Sequence, residues 1–109
     1  MKPIPKKILI HSAELKTVTK DEWQEETLTL VAVLKNIRIE PASKLVTDKQ
    51  NRQTTLSAYL FYDCRNSNPK NVEFTHGQKV LFNNKEYTVE TIEPLYDGNK
   101  LHHYELGLI

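Results

Sequence analysis

The sequence predicts a mainly β protein: a small antiparallel β-barrel or tight sandwich of about six strands, with one long projecting loop. Three observations point there. Runs rich in Val, Ile, Thr, Tyr and Phe repeat with a period of two, as pleated, half-buried surfaces favour. Turn signals separate these runs. Asn83-Asn84 tolerates left-handed backbone through its short amide side chains, and Gly98 in Asp97-Gly98-Asn99 has no Cβ to clash there. Between Gly77 and Ile109 these signals leave three short runs, 79–82, 86–92 and 101–108, which read as a meander.

The elements upstream follow in order. Residues 1–5 hold two prolines and read as an extended N-terminal arm. Residues 6–18 read as a strand with Ile8, Ile10 and Ser12 on one face. Residues 19–26 are polar around Trp23 and read as a hairpin connection, with the indole packed over a sheet end. Residues 27–40 form the longest apolar segment. Leu28, Leu30, Ala32 and Leu34 lie in even phase, whereas Val31, Val33, Ile37 and Ile39 lie in odd phase. One regular strand cannot send both sets to one core. Either the strand is covered on both faces, or a bulge near Lys35-Asn36 resets the phase. A helix competes over residues 25–34, but the β-branched content and Pro41 favour a strand.

Residues 42–54 are polar and aperiodic and read as the long loop. Residues 55–62 read as a strand with Leu56, Ala58, Leu60 and Tyr62 on one face and Tyr59 and Phe61 on the other. Residues 63–71 read as a loop in which Asn68-Pro69 caps a helical turn. Core candidates are Ile8, Ile10, Ile37, Ile39, Leu60, Val80, Tyr87, Val89 and Leu106. Residues 56–62 and 80–82 are apolar on both faces, and a small barrel has only one inside. The second face needs another cover, and a neighbouring subunit is the usual one, which makes Tyr59 and Phe61 candidate interface anchors.

Length and composition narrow the class. A chain of 109 residues is expected to form one domain over 1–109. Its net charge of +1, from 15 basic and 14 acidic residues, advertises neither nucleic acid nor anionic membrane as a partner. Cys64 is alone, so no disulfide framework forms within the chain, which fits a reducing compartment. No apolar run approaches about 20 residues, so no membrane span is expected, and Ile8-Leu9-Ile10 is too short for a signal-peptide core.

Chemistry-bearing motifs are missing from the pattern. No nucleophile elbow, phosphate loop, paired-glycine fingerprint or zinc spacing occurs, so no catalytic, cofactor or metal residue is expected, and no small-molecule substrate. Cys64 at a strand end reads as a small buried hydrophobe. His102 and His103 are adjacent, so on a regular strand they point to opposite faces. Tyr59, Phe61, Tyr62 and Tyr104 could stack on bases, but Lys and Arg do not cluster beside them, so core or interface is the better reading.

Several stretches together resemble a known family. They are Lys2-Pro3-Ile4-Pro5-Lys6-Lys7-Ile8-Leu9-Ile10-His11, Asn36-Ile37-Arg38-Ile39-Glu40-Pro41, Leu60-Phe61-Tyr62-Asp63-Cys64-Arg65-Asn66-Ser67, Pro94-Leu95-Tyr96 and His102-His103-Tyr104-Glu105-Leu106-Gly107-Leu108. In order and spacing they are similar to the small minor capsid proteins of phages and prophages of Gram-positive bacteria, and the likeness covers nearly the whole chain. The resemblance implies a head-tail connector component, near the head-closure or stopper proteins, with a small β-barrel fold and a long loop. It implies a place in the virion neck, in a ring of copies beneath portal and adaptor proteins, holding packaged DNA. It brings no catalytic residues. In such a ring, Lys44, Lys49 and Arg52 of the long loop would meet DNA phosphates without reading sequence, with Asp48 diluting the attraction. The rival readings are a small nucleic-acid-binding barrel or protein-adaptor module, which a basic stripe with exposed aromatics would favour, and an enzyme, which a deep polar pocket would favour.

Overall fold

In the computed structural model, which describes residues 2–47 and 50–109, six antiparallel strands close on themselves. They are β1 (His11–Lys20), β2 (Glu26–Thr47), β3 (Gln53–Asp63), β4 (Lys79–Phe82), β5 (Lys85–Asp97) and β6 (Lys100–Leu108). The order around the barrel is β1-β2-β3-β6-β5-β4, and β4 returns to β1. The barrel is not regular. The 22 residues of β2 pair with β1 over the first half and with β3 over the second. The closing seam of β1 and β4 rests on three residue pairs, Glu14 to Lys16 against Leu81 to Lys79.

The turns follow the residues that make them. Asn83 and Asn84 both have positive φ, 50° and 62°, and join β4 to β5. Gly98, at φ 63°, opens the two-residue turn between β5 and β6. Leu34, Ile37, Leu60, Val80, Val89 and Leu106 are all at most 1 % exposed and fill the barrel. Tyr62, Phe74 and Tyr104 stack edge-on in a cluster that packs against this core, with Phe74 5.3 Å from Tyr62 and 5.2 Å from Tyr104. Buried Gly107 lets β6 pass close to its neighbours: a Cβ there would stand 2.8 Å from Leu56 Cδ1 and press on the Thr91 hydroxyl.

Five expectations change. Residues 6–8 form a single 3-10 turn, and β1 begins only at His11. The turn shifts the phase, so Leu9 is buried while Ile8 and Ile10 are 40 % and 66 % exposed and leave the core list. Tyr87 is half-buried. Trp23 does not cover a sheet end but stands 77 % exposed at the tip of the β1–β2 hairpin. Residues 42–54 are not an irregular loop, because β2 runs to Thr47 and β3 starts at Gln53, with Lys44 to Thr47 laddered on Leu56 to Gln53. Polar side chains suit most of such a ladder, because Lys44, Thr47, Gln53 and Thr55 stand in solvent. Around Asn68-Pro69 the chain is turn with a cis peptide bond rather than helical turn.

The expected bulge is present. His11 pairs with Ile37 and Ser12 with Lys35, so Asn36, at φ 55°, is the extra residue. A second bulge lies upstream: Leu15 pairs with Ala32 and Lys16 with Leu30, which leaves Val31 over.

Candidate functional site

Among the described residues, no group of three His, Cys, Asp or Glu side chains is placed to hold a metal. Burial, then the Asp63 carboxylate, pushes the Cys64 thiol above its ordinary range, with Lys70 opposing weakly. That shift leaves the sulfur protonated at neutral pH and a poor nucleophile. His102 and His103 do meet, contrary to the opposite-face expectation. Leu95 pairs with His103 and Tyr96 with Leu101, so His102 is the bulged residue and its ring turns toward its neighbour. Their Nδ1 atoms are 2.7 Å apart. His102 Nε2 donates to the Lys2 carbonyl at 2.6 Å, and His103 Nε2 lies 3.2 Å from a Glu105 carboxylate oxygen. The pair therefore serves to hold the N-terminal arm.

The arm is fixed more strongly at the end of β3. Asp63 is wholly buried, and its carboxylate accepts from the backbone N–H of Ile4 at 2.7 Å and of Arg65 and Asn66 at 2.9 Å each. Asn66 Nδ2 donates to the Ile4 carbonyl. The Ser67 hydroxyl accepts from Asp63 N and donates to the Asn36 carbonyl. Lys35 and Asn68 exchange two backbone hydrogen bonds at 2.9 Å. One short segment, 63–68, thus ties the arm, the Asn36 bulge and β3 together. This is structural work, and it explains why the Asp63-Cys64-Arg65-Asn66-Ser67 run is so polar beside a core strand.

What remains unsatisfied is apolar surface. The Val31 bulge places Leu28, Leu30, Val31 and Val33 on one side of the β1–β2 hairpin, together with Val18, which pairs with Leu28. The opposite side carries Thr17, Thr19, Thr27 and Thr29 over the projecting half. Leu28, Leu30, Val31 and Val33 are 40 to 51 % exposed. The far edge of this half of β2 has no strand beside it, since β3 pairs only from Arg38 onward. Sequence reasoning found both phases of this segment and offered cover on both faces or a bulge near Lys35-Asn36; the bulge is there, and the upstream half is left uncovered besides.

Tyr59 and Phe61 lie on the outer side of β3, half-buried, with ring centroids 6.4 Å apart. Phe61 stands opposite Arg38 and Glu105, and Tyr59 opposite Glu40 and Gly107. Arg38 Nε donates to Glu40 at 2.7 Å beside them. Neither ring is deep in the barrel, so both remain available to a neighbour. Lys44 and Arg52 are exposed on the second projecting hairpin, β2–β3, while Asp48 and Lys49 lie outside the described residues. A cleft of about 500 Å³ runs between that hairpin and β5, lined by Val46, Arg52, His76 and Glu90 among others. Its charges are mixed and exposed, which suits no particular ligand.

Comparison with known proteins adds one finding. A family model described as minor capsid protein matches residues 5–108. No curated protein matches the chain. No solved structure matches it either.

Proposed function

The chain belongs to the minor capsid protein family, and from that premise we propose that it is a head-closure subunit of a phage neck. Family membership makes it a structural protein of the virion. On the finer reading, copies of the chain join other portal-proximal virion proteins in a ring below the portal, help to retain packaged DNA and receive the tail. The observation that carries this reading is the uncovered apolar side of the β1–β2 hairpin, where four aliphatic side chains stand 40 to 51 % exposed on a strand with an unpaired edge. Burying surface of that kind and pairing such an edge are favourable, so it marks a place where another protein docks. Tyr59 and Phe61, on the outer side of β3, serve as further subunit-interface anchors, since a few aromatic side chains carry much of the energy of such contacts.

The β2–β3 hairpin then points toward the channel. Lys44, Lys49 and Arg52 meet DNA phosphates there without base recognition, and Asp48 weakens the attraction, so the hairpin obstructs more than it binds. Replacing residues 47–53 by a short Gly-containing turn tests this role. The expected result is particles that package DNA and then lose it, with the subunit still folded. Particles that retain DNA and infect normally would remove the hairpin from DNA retention.

A further inference from the structure

We propose that the tip of the β1–β2 hairpin of one copy docks into the cleft beside the N-terminal arm of the next copy. The proposal rests on the ring reading above and names the contact that builds the ring.

The chain is nearly neutral overall, yet a group of like charges stands near each end of β1. At the tip, Asp21, Glu22, Glu25 and Glu26 outnumber Lys20, and all five are exposed. Among them Trp23 presents its indole to solvent, 77 % exposed. The tip is ordered for this display, because the Asp21 carboxylate accepts from Trp23 N at 2.8 Å and from Glu25 N at 2.9 Å. At the other end of β1, exposed Lys2, Lys6, Lys7, Arg65 and Lys70 gather, because Ile4 is tied to Asp63 and Asn66. The Asp63 carboxylate cannot neutralise them freely, being buried and engaged with three backbone N–H groups.

Beside these cations lies a cleft of about 360 Å³, lined in part by Pro3, Arg65, Leu101 and His102. Its size suits a small organic group such as an indole. Flat and aliphatic walls suit it as well, with the Arg65 guanidinium able to stack on the ring. The acidic tip and the basic cleft stand a strand apart, about 30 Å for ten residues. They cannot meet within one subunit, so the match is between subunits. A contact joining two different surfaces of the same chain is heterologous and closes into a ring when its rotation allows. Phe61 and Tyr59 lie two and four residues back from Asp63 along β3.

Photocross-linking in assembled particles tests the contact. Benzoylphenylalanine replaces Trp23 in one preparation and Leu45, exposed on the other hairpin, in a second. The expected product from position 23 is a dimer of this chain whose linked peptides contain residues 2–7 or 64–70 of another copy. Reversing Lys6 and Lys7 to Glu should lower its yield about tenfold, and adding Glu25→Lys with Glu26→Lys should restore it. A dimer from position 45 without one from position 23 overturns the docking and leaves the ring standing. A product from position 23 containing only a different virion protein, or no rescue by the second charge reversal, overturns the docking as well. No copy-to-copy product from either position overturns both.

Discussion

The two halves of β2 share one composition and meet opposite surroundings. Leu34, Ile37 and Ile39 are 0 to 6 % exposed, whereas Leu28, Leu30, Val31 and Val33, a few residues upstream, are 40 to 51 % exposed. Hydropathy does not separate them; pairing does. The downstream half lies where pairing passes from β1 to β3 and faces a filled barrel, while the upstream half has β1 alone and projects beyond it. A two-stranded ribbon cannot bury its own apolar side. The contrast teaches that an apolar run says what must be covered but not which chain supplies the cover.

The sharpest way to break this comparison is at the barrel. Leu60→Ala should cost the free subunit about 2–5 kcal/mol in denaturant unfolding, because Leu60 has no exposed surface and its neighbours cannot collapse into the space. A cost below about 0.5 kcal/mol would show that the barrel interior is not the stabilising half. Asp63→Ala comes next. It orphans three backbone N–H groups, and each that stays dry costs about 1–3 kcal/mol. Its signature is faster trypsin cleavage at Lys6 and Lys7, since the arm loses its anchor.

A smaller effect appears with alkali. Burial raises the Tyr62 and Cys64 titrations first, the Cys64 thiolate adds to Tyr62, and the Asp63 carboxylate adds to both. Burial also raises Tyr104. A folded-state value above the unfolded one means that the stabilisation is complete below the unfolded titration and is lost as pH rises through the folded one. Stability should therefore hold at neutral pH and decline above about pH 9, where free thiols and then phenols ionise. Cys64→Ser should delay the onset, and an unchanged alkaline profile in that variant would assign the decline to the tyrosines. The smallest effect on the free subunit is expected at the hairpin. Leu30→Ser should change its unfolding free energy by less than about 0.5 kcal/mol, yet reduce its recovery in purified particles. A large loss in the free subunit would mean that the hairpin folds back on its own barrel.

Much of this arrangement was legible in the residues. Period-two runs and the Asn83-Asn84 and Gly98 turns place the strands, and the phase conflict in residues 27–40 locates the Asn36 bulge. What escaped depends on distant partners. Ile8 and Ile10 look like core until a 3-10 turn hands burial to Leu9, a choice fixed by the arm's bonds to Asp63, 59 residues away in sequence. Residues 42–54 look like a loop because a ladder that projects into water needs no apolar side. Lys44 can be placed on that ladder, Arg52 just before its second strand, and Tyr59 and Phe61 on the outer wall, but their roles depend on neighbours that no periodicity encodes.

The Val31 bulge has a consequence for changes in chain length. Val31 is the residue that the β1 register does not use, so a deletion there would leave Leu28 and Leu30 on the side they already occupy and simply straighten the strand. Loss of Thr29, two positions away, would turn the strand over on its tip side while the Val31 bulge persists, and present Thr27 where Leu28 stood. Among relatives that keep this aliphatic side, single-residue gaps in β2 should therefore fall at position 31, and an insertion elsewhere in the hairpin should come in pairs.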